Sequence, residues 1–156
     1  MEWGSSVKVA DLLAVKGPSI VTIKPSETIG ALAQRLREKR IGAAMVSRDG
    51  QTFEGVISER DIAYGLSVHM GELHKMPVSA LMTKTVVTCS PEDNVAKVAS
   101  TMLTRNIRHL PVEVDKRLIG IISMRDVLNS RLDELQRQTG MLRAFASHTD
   151  RDPQDR

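Results

Sequence analysis

The feature that most restricts this chain is that it repeats itself. Residues 20–46, "IVTIKPSETIGALAQRLREKRIGAAMV", align with residues 86–112, "VVTCSPEDNVAKVASTMLTRNIRHLPV", at a constant offset of 66 and without a gap. Further along, "GVISERDI" (55–62) returns as "GIISMRDV" (120–127) at an offset of 65. The lead-ins match as well, "VADLL" (9–13) with "VSALM" (78–82). A period of this length means two copies of one supersecondary unit, each with apolar faces too large to cover alone.

The physical pattern repeats more closely than the letters. Each copy opens on a β-branched run, Ile20, Val21 and Thr22 or Val86, Val87 and Thr88, suited to a short strand. Pro25 or Pro91 and early acids (Glu27; Glu92 and Asp93) then mark a helix start. The helix carries an i, i+3, i+4, i+7 stripe: Ile29, Leu32, Ala33 and Leu36, against Val95, Val98, Ala99 and Met102. Two short apolar runs follow in each copy, joined by "RDGQ" or "DK", and read as hairpins. One residue fewer in the second turn accounts for the drop in offset. A further helix follows each octapeptide, the second one longer, with "MLRAF" extending it past Gly140.

The expected fold is therefore α+β, two pseudo-symmetric repeats of α-β-α-β-β-α. Residues 7–69 and 78–135 are the repeats, 1–6 a tail, 70–77 a solvated linker, and 136–156 a helical extension ending in the polar and disordered "SHTDRDPQDR".

At 156 residues, 41% hydrophobic and 26% charged, the chain has the composition of a water-soluble globular protein. A single cysteine, Cys89, excludes an intrachain disulfide; it stands where the first copy has Ile23 and reads as a passive core residue. With no signal-peptide pattern and no membrane-length apolar run, the expected location is cytoplasmic. The net charge of +3 comes from scattered cations, and aromatics are only 3%, too few for stacking platforms. Nucleic acid is thus a minor expectation.

The octapeptide has its own chemical logic. Gly permits close backbone approach, Ile57 or Ile122 points inward, and Ser58 and Asp61, or Ser123 and Asp126, fall where a strand passes into a helix. Helix capping is the ordinary role of such a pair. Two copies at matched places add a second role, because a carboxylate can accept from both vicinal hydroxyls of a ribose. Arg60 and Arg125 lie beside a helix start, where a phosphate is favoured; pairing with nearby acids is their alternative role.

The order of elements, the paired octapeptides and "RNIRHLPV" together resemble the CBS-domain pair, or Bateman module, over almost all of residues 7–135. The resemblance implies small sheets packed against each other with helices outside, and two clefts for adenine nucleotides. It also implies a crossed arrangement of the clefts. Asp61 would meet Thr85, Val86 and Val87, with Arg108, His109 and Pro111 near base and phosphates. Asp126 would meet Ser19, Ile20, Val21, Gly42, Ala43 and Ala44. Because "RHLP" replaces "GAAM", the Asp61 cleft should be the more anion-seeking and the Asp126 cleft the roomier. Modules of this family commonly pair into a disc of four repeats, so a homodimer is expected.

No G-x-S-x-G, Walker loop or H-E-x-x-H occurs, and no catalytic cofactor is expected. His69 and His74, five residues apart, fall on different helix faces and make a poor metal site. The functional expectation is a non-enzymatic sensor of AMP, ADP, ATP or NAD(H) acting on an unknown protein in trans. An oligomerisation or interaction subunit with vestigial clefts is the alternative.

Overall fold

The computed structural model describes residues 7–17 and 20–149. Helix α1 (Val9–Lys16) leads into strand β1 (Thr22–Ile23), helix α2 (Ile29–Lys39), strands β2 (Ala43–Val46) and β3 (Gly55–Ser58), and helix α3 (Glu59–His69). Two 3-10 segments, Met70–Lys75 and Val78–Ala80, join this half to helix α4 (Val95–Arg105), strands β4 (His109–Val114) and β5 (Arg117–Ser123), and helix α5 (Met124–Thr149). One sheet has the order β1-β2-β3, with β1 parallel to β2 and β2 antiparallel to β3; the other is the β4-β5 hairpin.

The repeat extends to individual hydrogen bonds. Glu27 accepts from the Lys24 N–H at 2.7 Å and Asp93 from the Ser90 N–H at 2.8 Å, 66 positions on. These acids close the turn before each helix, while the N-caps are Thr28 and Asn94, whose side chains accept from Ala31 and Ala96. Both helices end in a left-handed residue, Arg40 (φ 54°) and Asn106 (φ 52°), and the next N–H returns to the helix: Ile41 to Leu36 and Ile107 to Met102.

The first strands are shorter than the β-branched runs. β1 keeps two residues, and its counterpart is a single parallel bridge, Cys89 to Val112. In the second hairpin the two-residue turn Asp115–Lys116 has both φ values positive, 48° and 63°, the geometry that matches strand twist. A register shift between Val112 and Glu113 leaves Ile119 as an extra residue on β5.

Two hydrophobic clusters form, and each borrows from the other half of the sequence. Val9 and Leu12 of α1 pack with Val95, Val98, Ala99, Met102, Leu110, Val112 and Ile122. Leu73 and Val78 pack with Ile23, Ile29, Leu32, Leu36 and Ile57. Backbone hydrogen bonds pin the exchange: Val9 N–H to Asp93 and Val95 N–H to Val7 on one side, Ile29 N–H to Met76 and Val78 N–H to Glu27 on the other. The segment expected as a solvated linker therefore holds a core residue, Leu73, 4% exposed. The octapeptide glycines sit at these contacts. A Cβ on Gly55 would fall 2.7 Å from the Thr83 carbonyl oxygen, and one on Gly120 would run into the Leu13 side chain.

Two departures from the sequence reading stand out. Ala99 is buried beside α1, whereas Ala33 is exposed. α5 continues through Gly140 to Thr149 and takes in part of the tail expected to be disordered; residues 150–156 lie outside the described residues. Cys89 is buried, and loss of hydration pushes its thiol pKa up to about 12, an inert core position. No helix among the described residues is long and apolar enough to cross a membrane.

Candidate functional site: the Asp126 cleft

Each octapeptide places its serine at the last residue of a strand and its aspartate in the first turn of the next helix. Ser58 N–H donates to Asp61 Oδ2 at 2.7 Å, the Ser58 hydroxyl donates to the same oxygen at 2.9 Å, and Asp61 N–H returns to Ser58 Oγ at 3.4 Å. In the second copy Ser123 N–H donates to Asp126 Oδ2 at 2.7 Å and Asp126 N–H to Ser123 Oγ at 3.2 Å. The capping role is thus present in both. It uses one carboxylate oxygen; among the described residues, Oδ1 of each aspartate accepts no hydrogen bond.

Asp126 faces a cleft of about 1140 Å³ between the two halves of the fold. From the first half come Ile20 and Val21 ahead of β1, the cationic end of α2, and Gly42 and Ala43 at the start of β2. From the second come Arg108 and His109 at the start of β4, and Ser123, Arg125 and Asp126. Apolar walls with a few convergent polar groups suit a small organic ligand. Of the residues grouped with Asp126 from sequence, Ala44 is 1% exposed and packs in the first core instead of lining the cleft. Ser19 lies outside the described residues.

Arg108 and His109, grouped with Asp61 from sequence, line the Asp126 cleft instead. The reason is register: β4 and β5 pair antiparallel with His109 opposite Ser123, just as Ala43 is opposite Ser58. The imidazole then crosses to the other half, where Gly42 makes room; a Cβ there would fall 3.1 Å from the ring. Arg108 thereby brings to the Asp126 side a charge that the sequence reading grouped with Asp61. Asp61 and Arg60 are not on this wall. Arg60 donates to the Asn106 carbonyl at 2.8 Å, at the end of α4. Thr85 is exposed and Val86 and Val87 are half-buried, while Pro111 is buried and its carbonyl accepts from Cys89 N–H.

Several residues of the cleft escaped the sequence reading, among them Arg37, Lys39 and Arg40 at the end of α2, and the one that touches Asp126 is Lys16. Lys16, the last residue of α1, donates to Asp126 Oδ2 at 2.9 Å and to the Ile121 carbonyl at 2.9 Å. The matching lead-in position in the second copy is Thr85, so no repeat signal marks it, and the seat of α1 on the opposite half is not written in local pattern. Burial alone would raise the Asp126 carboxyl pKa, but the Ser123 N–H and the Lys16 ammonium hold it below the ordinary carboxylate value. His109 moves down, first through burial and then through Lys16, against the opposing pull of Glu59 and Asp126. Asp126 is therefore an anion, and His109 neutral, near pH 7. Between the two repeats, the His74 ring meets the Gly71 carbonyl at 2.7 Å. Among the described residues no group of three or more His, Cys, Asp or Glu could hold an ion.

The CBS-domain family model matches this chain twice, over residues 9–67 and 78–133. The chain belongs to the CBS-domain family. Its two CBS matches cover most of the molecule. Among solved structures, the CBS-domain-containing protein ATU1752 from Agrobacterium tumefaciens is 35% identical, with a TM-score of 0.78, over 80% of this chain and 99% of that one. The CBS domain protein PAE2072 from Pyrobaculum aerophilum, complexed with AMP, is 30% identical, with a TM-score of 0.68, over 77% and 89%. The CBS domain pair of protein MJ0100, in complex with 5-methylthioadenosine and S-adenosyl-L-methionine, is 27% identical, with a TM-score of 0.71, over 83% and 98%.

Proposed function

We propose that this CBS pair is a non-catalytic regulatory module that binds an adenine nucleotide, AMP, ADP, ATP or NAD(H), in the Asp126 cleft. The observation that carries the reading is the crossed construction of that cleft. Asp126 offers a carboxylate oxygen at a helix start on one half, facing the Ile20–Val21 and Gly42–Ala43 edges of the other. Ribose hydroxyls would donate to Asp126, the base would lie against Ile20 and Val21, and phosphates would be met by Arg125 and Arg108. The adenosine compounds bound by PAE2072 and MJ0100 support the same ligand class. A second, weaker site is proposed around Ser58, Arg60 and Asp61 with Thr85, Val86 and Val87.

A ligand in the cleft touches both halves, so it stabilises one relative arrangement of them, and it shifts a partner only by its differential affinity for two states. The proposed signal passes in trans to a protein effector from a homodimer of four repeats. Exposed apolar side chains on α3 (Tyr64, Val68) and α5 (Leu128, Leu132) support such pairing. Those same faces favour the alternative of a pure interaction subunit.

Thermal unfolding against adenosine, AMP, ADP, ATP, NAD, NADH and S-adenosylmethionine separates the two. Ligand at 100 times its Kd adds about 2.7 kcal/mol of stability. Stabilisation that disappears in Asp126→Ala supports the sensor. If no compound stabilises the protein, or if Asp126→Ala and Asp61→Ala both bind as wild type does, the ribose assignment is wrong.

A further inference from the structure

The charge around the Asp126 cleft exceeds what its fold or a monophosphate requires. Seven cationic side chains and two carboxylates line it. Lys16 is paired with Asp126, and Arg35 with Glu27 at 2.7 Å. The other five, Arg37, Lys39, Arg40, Arg108 and Arg125, form no ion pair among the described residues. They converge from three elements: the end of α2, the start of β4 and the start of α5.

Helix-dipole compensation explains only part of this. Cations in a last turn stabilise a helix, but α4, the matched helix, ends with Arg105 as its one basic last-turn residue. At an offset of 66, Lys39 corresponds to Arg105, another cation, but Arg37 and Arg40 correspond to Leu103 and Asn106. Two of the three cations at the end of α2 are thus not repeated at the end of α4. Like charges gathered on one concave wall repel each other, and a polyanion relieves that repulsion while a cation adds to it.

Resting on the nucleotide reading above, we propose that the Asp126 cleft is built for an adenylate with an extended phosphate chain, a nucleoside di- or triphosphate, held at its distal phosphates by Arg37, Lys39 and Arg40. The α-phosphate falls to Arg125 and Arg108, nearer the ribose acceptor. S-adenosylmethionine, which carries a sulfonium and no phosphate, is disfavoured there.

Titration calorimetry of the full chain in magnesium-free buffer, with adenosine, AMP, ATP and inorganic tripolyphosphate, tests this. The comparison variant is Arg37→Ala/Lys39→Ala/Arg40→Asn, at three exposed positions, with Asn retained for the left-handed cap as at Asn106. ATP should bind at least about tenfold more tightly than AMP, the effect of one charge-assisted hydrogen bond. Added salt should weaken ATP more than AMP. The variant should bring the two affinities together while AMP stays within about twofold of wild type. Equal affinities for ATP and AMP in the wild type, or a ratio unchanged in the variant, would overturn the inference and leave the nucleotide reading standing. Tripolyphosphate binding that the variant abolishes, with no adenylate bound, would retain the polyphosphate site and remove the adenine. If neither binds, both readings fall.

Discussion

Asp126 Oδ2 takes the Ser123 N–H and Lys16, and Oδ1 is the oxygen proposed to meet a ligand. The aspartates were legible because capping and ligand binding ask for the same residue at the same strand-to-helix junction, and the chain shows the junction twice. Lys16 was not, nor was the cleft that His109 lines, because each reaches its place across the boundary between the halves. His109 yields a pH prediction. Burial and Lys16 lower its pKa in the fold, so below the unfolded value of about 6.5 the unfolded chain binds the extra proton and stability falls with falling pH. Glu59 and Asp126 moderate the loss and Arg108 reinforces it. Urea unfolding between about pH 7.5 and 5.5 should show wild type losing stability more steeply than His109→Gln across the His range; parallel curves would show that His109 is not the group responsible.

At the scale of elements, the octapeptide glycine has a role that neither capping nor ligand binding predicts. Gly55 and Gly120 are where the exchanged lead-in segments press on β3 and β5, through Thr83 and Met82 on one side and Leu13 on the other. Gly55→Ala should cost about 1–3 kcal/mol, because a backbone carbonyl cannot step aside. Gly120→Ala should cost less, since the tip of the Leu13 side chain can rotate. Gly71→Ala, with open space around it, should stay within about 0.5 kcal/mol of wild type. Urea midpoints at matched m-values give the order, and a neutral Gly55→Ala would remove the close-approach argument. Helices, hairpins and stripes were readable from period and turn chemistry. The first strands were overestimated because β-branched residues also serve as half-buried cleft walls, as Ile20 and Val21 do here.

For the whole molecule, the decisive feature is that α1 belongs to the second core, and Leu73 and Val78 to the first. Similar lead-ins show in sequence, but an unbroken chain carries no mark of which copy each one covers. Separate fragments 1–69 and 70–156 should therefore lack cooperative unfolding, each having lost apolar partners to the other, and should regain it on mixing; near-UV circular dichroism and heating scans would record both. A fragment that melts cooperatively alone would contradict the exchange. The same exchange relates two halves as partners in a twofold pair, each completing the other. Two identical, unlinked halves arranged this way would have identical clefts by symmetry, and any substitution in one would appear in both. Covalent linkage lifts that restriction, so Lys16 can stand opposite Thr85 and Arg40 opposite Asn106, and a pseudo-symmetric scaffold can present two chemically different faces to the same pool of small molecules.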